Sequence, residues 1–209
     1  MKHTLVFLAA LFTACASTPA PQPTAAKGAA QTPPELMPPS ALPFDFQWRQ
    51  RVTAHWPTGT QSFEAVLQKR EGQLILVGLS PLGLPGFVFR LLESGDLQVE
   101  NRTGQPLPFE PAYVVADVQR VFFPWLAAPA PGFTGDRSGE RAGTSVRERF
   151  ERGQLRERQL IRETAAGREH IVVSYTTAEP AADAPARADL KNQLLDYELV
   201  IETLEQTRL

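Results

Sequence analysis

LILVGLSPLGLPGFVFRLL, residues Leu74–Leu92, holds two short apolar runs on either side of a turn rich in Pro and Gly. Each run, Gln73–Ser80 and Phe87–Leu92, has the length and the β-branched or aromatic content of a buried strand. The interruption at Ser80–Gly86 leaves no stretch of roughly 18 apolar residues that could cross a bilayer as a helix. The same interruption places Leu82 and Leu84 at the tip of a constrained loop. Exposed leucines there call for a membrane or a partner, unless they fold back onto the sheet.

Outward from this pair the rhythm continues. Upstream, Phe46, Trp48, Gln50, Val52, Ala54 and Trp56 alternate with polar residues, which predicts a strand with one face inward. Pro57–Thr60 closes it, and Ser62–Lys69 is a second strand turned by Glu71-Gly72. Downstream, Ser94-Gly95-Asp96 turns into a short strand over Leu97–Asn101. Turns about every ten residues predict an antiparallel meander curled into a sandwich or barrel.

Glu110–Leu126 breaks the pattern. Pro111 suits a first helical turn, and Val114, Val118, Val121, Phe122 and Trp125 share one face of a helix ending near Pro124, with Asp117, Gln119 and Arg120 mostly off it. Ala127–Thr144 reads as loop by composition. Arg147–Arg162, dense in Arg and Glu, reads as solvated strands with hairpin turns at Gly153 and Gly167; a helix is the other reading. Arg168–Thr177 and Leu195–Leu204 supply two more strands, with a Pro/Ala loop between them.

The N-terminus has a different character. A short charged start, an apolar run over Leu5–Phe12 and small residues precede Cys15, the single cysteine, as in a secretory leader. Ala16–Pro43, rich in Pro, Ala, Thr and Gln, holds too few large apolar groups to offset its ordering entropy and reads as an extended tether. The organisation expected is therefore a leader over 1–14, Cys15 and a tether over 15–43, and one domain over 44–209. A net charge of -2 gives no reason to expect nucleic acid. Internal disulfides are ruled out by the single thiol.

Catalytic signatures are weak. His55 and His170 both fall on predicted strands, Ser138 lies outside any nucleophile-elbow context, and no His, Cys or acidic residues show metal-ligand spacing. No catalytic residue, metal or cofactor is therefore assigned.

Several segments resemble known families. Leu11-Phe12-Thr13-Ala14-Cys15 resembles the bacterial lipobox, with Leu four rather than three residues before the cysteine. That resemblance implies cleavage before Cys15 and lipidation of its thiol, and Ala16 in place of Asp implies sorting to the outer membrane of a Gram-negative cell. The Leu74–Leu92 hairpin, the Leu107-Pro108-Phe109-Glu110 to Trp125 segment, Ile171–Tyr175 and the closing LLDYELVIETL (Leu194–Leu204) resemble LolB, the outer-membrane lipoprotein receptor, and its periplasmic partner LolA. More narrowly, Ala116–Gln119 and Tyr197–Ile201 resemble an uncharacterised LolB-like lipoprotein family. The likeness implies a mainly β fold with α, a curved antiparallel half-barrel sheet covered by helices, whose concave face holds acyl chains.

What the resemblance implies for function is lipid anchorage, acylated or hydrophobic cargo, a periplasmic carrier as donor, and no enzymatic activity. Leu82 matches the position where LolB presents a leucine to the membrane, with Leu84 beside it. Trp48, Trp56, Phe63, Leu76, Phe87, Phe89, Phe122 and Trp125 are the cavity-lining candidates. A packed core, and with it a purely structural lipoprotein, is the alternative that sequence does not separate from an open cavity.

Overall fold

The computed structural model describes residues 34–177 and 183–209; the leader, Cys15 and most of the expected tether lie outside these. The described elements are β1 (Phe46–Trp56), β2 (Gly59–Arg70), β3 (Gln73–Leu79), β4 (Pro85–Leu91), β5 (Leu97–Asn101), α1 (Pro111–Phe122), β6 (Gly135–Arg141), β7 (Thr144–Glu151), β8 (Gln154–Thr164), β9 (Gly167–Thr176), β10 (Arg187–Asn192) and β11 (Tyr197–Arg208). All eleven strands join one antiparallel sheet in the order β5-β4-β3-β2-β1-β11-β10-β9-β8-β7-β6. Consecutive strands pair with one another except β5 and β6, and the first and last strands meet at the centre, Phe46 opposite Arg208 and Val52 opposite Ile201. Among the described residues β5 and β6 remain edges, so the sheet is open.

Turn chemistry sets the register. Glu71 and Gly72 both adopt positive φ, 53° and 71°, the pair a two-residue type I′ hairpin requires. Arg152-Gly153 and Ala142-Gly143 repeat it. At the β3–β4 connection Ser80 accepts from Gly83 N–H at 2.8 Å and donates its own N–H to Leu84 at 2.8 Å. That tight loop turns the chain before Pro85, which opens β4 at a position where proline is tolerated.

The helix organises the core. Seven consecutive residues, Val115 to Val121, are buried; at 100° per residue they cover the whole circumference, so α1 is enclosed on more than one side. Val115 and Val118 pack with Phe46, Trp48, Leu67, Phe87 and Phe89 of the first half of the sheet. Val121 packs with Leu160, Ile171, Val173 and Leu190 of the second half. Phe122 touches both clusters, and its ring lies 5.3 Å from that of Trp48. The fold is mainly β with α, as expected, with a single α-helix among the described residues. The sheet, however, stays open and uncurled, where a meander curled into a sandwich or half-barrel covered by helices was expected, because β5 and β6 do not pair to close it. The helix stops at Phe122 because Phe123 precedes Pro124 and is extended, φ -81°, ψ 150°.

Three segments differ from the sequence reading. Ala127–Thr144 contains the edge strand β6, whose sequence GDRSGER lacks an apolar face and which forms through its ladder with β7, Asp136 opposite Arg149. The Pro/Ala-rich gap before the last strand contains β10, whose small inward residues Ala188, Leu190 and Asn192 are all buried. The end of the expected tether also docks on the domain: Pro34, Pro39 and Leu42 are buried, and Leu36 and Met37 pack on the first core cluster. Met37 is held twice by Gln119, its N–H donating to Oε1 at 2.8 Å and its carbonyl accepting from Nε2 at 2.7 Å. Leu36, Met37 and Leu42 are the apolar anchors that the Pro-rich composition obscures.

Candidate functional site

One face of the sheet meets the N-terminal half of α1 in an apolar cleft of ≈ 270 Å³, near the lower end of the range for small-molecule sites, about 300 Å³. Its floor is a grid set by register. Ala54 of β1 lies between Leu199 of β11 and Gln61 of β2, and Val52 lies opposite Phe63. Trp56 and Tyr197 close one end, and Pro108, Phe109, Tyr113, Val114 and Asp117 form the roof. The floor residues recur every second position because successive strand side chains alternate faces.

The cleft ends on a buried polar network. Asp117 accepts from Arg120 Nη1 at 2.7 Å and from the Tyr197 hydroxyl at 2.7 Å. Arg120 continues to Glu169 at 3.1 and 3.2 Å, and Glu169 also accepts from Arg162 at 2.9 Å and Asn192 at 3.0 Å. Burial pushes the Asp117 carboxyl up from its ordinary range, against the opposing pull of Arg120 and the Tyr197 hydroxyl. Burial and then the Asp117 charge hold the Tyr197 phenol well above 10. Each charge here has a counter-charge, as buried ions require.

A second inward pair fixes the other end of the helix. Arg158 donates to Glu148 at 2.8 Å and to the carbonyls of Arg120 and Val121 at 2.6 and 3.2 Å. The Tyr175 hydroxyl donates to Val121 O at 2.9 Å, and Trp125 Nε1 donates to Gln119 O at 3.0 Å. The carbonyls of Arg120 and Val121 at the helix end are thus satisfied by sheet side chains, Gln119 O accepts from Trp125 as well as from Phe123 N–H, and the guanidinium sits at the negative end of the helix dipole. This anchors α1 rather than leaving it free to swing.

Tyr175 makes that anchorage pH-sensitive. Burial raises its phenol from 10.0 to about 12, so the folded state holds the proton longer than the unfolded chain does. Stability from this group is complete below pH 10 and is lost as pH rises through about 12. Urea midpoints measured from pH 8 to pH 12 should therefore fall, and the fall should be shallower in Tyr175→Phe. Tyr197, shifted in the same direction, leaves a residual slope in that variant.

The sequence-derived candidates divide in two. Trp56 and Phe63 line the apolar cleft. Leu76, Phe87 and Phe89 are packed in the first core cluster. Trp48, buried in the same cluster, and Phe122, packed against it, also line a second hollow of ≈ 260 Å³ beside Arg158 and Tyr175. Phe87 is stacked on Phe89 at 4.7 Å and edge-on to Phe109 at 5.6 Å, so these rings back the cleft rather than open onto it. Trp125 lies beyond the helix C-terminus beside a smaller hollow lined by Gln119, Arg120 and Glu169. Leu82 and Leu84 are 85% and 63% exposed at the β3–β4 tip. Cys15 lies outside the described residues.

Sequence reading missed Asp117, Tyr197 and the helix roof, because it set Asp117, Gln119 and Arg120 mostly off the apolar face. It also read the Arg/Glu run as solvated. Arg149–Glu157 and Arg156–Glu151 are surface pairs, but Glu148 and Arg158 point inward. The signal was the alternation itself, since Glu148 stands between Val146 and Phe150 on the buried face of β7.

Among the described residues no three His, Cys, Asp or Glu side chains converge as metal ligands would, and no helix is long and apolar enough to cross a membrane. A family model described as "Protein of unknown function (DUF3261)" matches residues 47–205. No curated protein sequence matches the chain. Similar solved structures include a LolA superfamily protein from Nitrosomonas europaea, with 13% identity, TM-score 0.47, and 79% of this chain and 87% of that one covered. A domain described as outer membrane lipoprotein-sorting from Vibrio parahaemolyticus has 11% identity, TM-score 0.39, and coverage of 79% and 85%. A DUF1329 family protein from Desulfovibrio piger has 10% identity, TM-score 0.36, and coverage of 81% and 88%.

Proposed function

We propose that this chain, which belongs to the DUF3261 family, is a lipid-anchored envelope protein that binds one apolar chain in the cleft under α1. The single observation that supports this is the cleft itself, walled by Val52, Ala54, Trp56, Phe63, Phe109 and Leu199 and open between helix and sheet. A preformed apolar hollow favours an apolar occupant because burial gains about 25 cal/mol for each Å² of apolar surface removed from water. No bond is made or broken in this reading. Cargo would move because donor, cleft and bilayer bury its chain to different extents.

Anchorage belongs to the same proposal. Cys15, in its lipobox-like context, would carry the lipid, and the outer membrane would be the destination. The Ala16–Thr32 stretch would serve as spacer before the docked segment that starts near Pro34. The β3–β4 loop would touch the bilayer through Leu82 and Leu84. A periplasmic carrier would be the donor.

Ala54→Trp tests the cleft. The indole would fill the floor between Leu199 and Gln61, so the affinity for N-phenyl-1-naphthylamine should weaken at least tenfold while the urea midpoint holds within error. Unchanged binding would remove the cleft from the account. Leu82→Asp with Leu84→Asp tests the loop. Each exposed leucine can contribute roughly 1.5 kcal/mol or more on insertion, so vesicle co-sedimentation should drop about tenfold or more, with little change in stability. Equal sedimentation would assign membrane contact elsewhere.

A further inference from the structure

Exposed leucines flank the cleft on two sides. On one side stands Phe63, which also borders the hollow beneath the β3–β4 tip beside Ser80 and Pro81, and Leu82 and Leu84 are exposed at that tip. On the other side stands Leu195, in the β10–β11 turn, which lines the cleft and is still 39% exposed. The β1–β2, β3–β4 and β10–β11 turns, residues 57–58, 80–84 and 193–196, lie at this one end of the sheet. Asp196 is the single charged residue among them. At the opposite end the β2–β3 and β4–β5 turns carry Glu71, Glu93 and Asp96 and no large exposed apolar side chain. The two ends of the same strands therefore face different surroundings.

The arrangement suits a bilayer better than a protein pocket. The two leucine-bearing tips are four strand spacings apart in the sheet order, about 19 Å, with half-buried Trp56 between them. Apolar contacts spread so widely fit a flat, fluid acceptor, and Trp is favoured at a membrane–water interface. The chain also approaches from this end. Ser40 N–H is held by Glu93 at the opposite end, and from there the docked segment runs back past Gln119 to Pro34, beside Ala142 and Thr144 at the β6–β7 turn. That turn lies at the leucine end, so a membrane anchor upstream of Pro34 would pull this end toward the bilayer.

We propose that this end docks on the lipid bilayer through two tips, Leu82 and Leu84 on one and Leu195 on the other, and that the cleft opens onto the membrane between them. An apolar chain then passes between leaflet and cleft beside Leu195 without crossing water, where its exposed surface would be unfavourable. None of the three turns holds a Lys or Arg, so anionic lipid is not needed. The inference rests on the cleft and the anchorage proposed above, and adds the β10–β11 turn as a second contact.

The test uses the full chain carrying Cys15→Ser, with one new thiol at Leu195→Cys, Leu84→Cys or Asp96→Cys labelled with the fluorophore NBD. Each labelled chain is mixed with phosphatidylcholine vesicles with and without nitroxide-labelled acyl chains. Fluorescence at positions 195 and 84 should fall about twofold with the nitroxide lipid, and at position 96 it should not change. Quenching at 84 without quenching at 195 overturns the inference, assigns the β10–β11 turn to solvent or a protein partner, and leaves the loop contact standing. Equal quenching at 96 overturns it as well, because contact is then not confined to one end. No quenching at either 84 or 195 removes the loop contact along with the inference, while binding of N-phenyl-1-naphthylamine still reports the cleft on its own.

Discussion

Replacing Arg158 by alanine is expected to cost the fold about 3–5 kcal/mol. Its guanidinium and the Glu148 carboxylate are each only 4% exposed, so truncation leaves a buried carboxylate with no counter-charge. The carbonyls of Arg120 and Val121 also lose a donor, and of the two only Val121 keeps another, from Tyr175. Removing both charges should be far milder, because a buried ion pair contributes little net stability over apolar groups of similar volume. Urea denaturation should show Glu148→Met/Arg158→Met recovering at least half of what Arg158→Ala loses. A loss below about 1 kcal/mol in the single variant would mean that α1 is not anchored by this residue.

Adding one methyl group at Gly78 should be nearly as damaging, at about 3 kcal/mol, the upper end for overpacking a core. Gly78 lies opposite Phe87 in the β3–β4 ladder, and a Cβ there would fall 2.1 Å from the Phe87 ring. That ring has little room to yield, since Phe63, Phe89 and Phe109 stand 6.0, 4.7 and 5.6 Å away. Phe109 also roofs the cleft, so the strain should reach the binding surface. The measurement is the thermal midpoint of Gly78→Ala alone and combined with Phe87→Leu, whose slimmer side chain should restore part of the loss. A Gly78→Ala chain as stable as the parent would contradict the packing described.

The sheet was legible because its signals are local. Alternation in Phe46–Trp56 and the apolar Leu74–Leu92 hairpin announce their own strands, and Glu71-Gly72 and Arg152-Gly153 carry the φ > 0 chemistry of their turns. β6 and β10 were not legible, since one lacks an apolar face and the other uses Ala188 and Asn192 on its inner side. Their pairing is supplied by the ladders alone, with the strands next to them in the chain, β7 for β6 and β9 and β11 for β10. Packing on the docked Pro34–Leu42 segment depends on Gln119, far along the chain.

The site was legible only in part, for a related reason. Aromatic residues can be recognised in a sequence, but whether a ring faces a hollow or another ring depends on what covers it. Phe87 and Phe89 have ring partners on one side and the sheet on the other; Trp56 and Phe63 face space. Asp117 and Tyr197 lie 80 residues apart and become one polar end only when β11 returns to the centre of the sheet beneath α1. No spacing rule carries that juxtaposition.

A carrier needs the cleft under α1 to hold a ligand. Native mass spectrometry of the chain isolated from its own envelope without detergent exchange tests this most directly. The expected result is an added mass of a single-chain amphiphile that organic extraction removes and that the Ala54→Trp chain does not carry. An apoprotein with no added mass, which also fails to bind N-phenyl-1-naphthylamine, would contradict it and leave a scaffold built on a packed core.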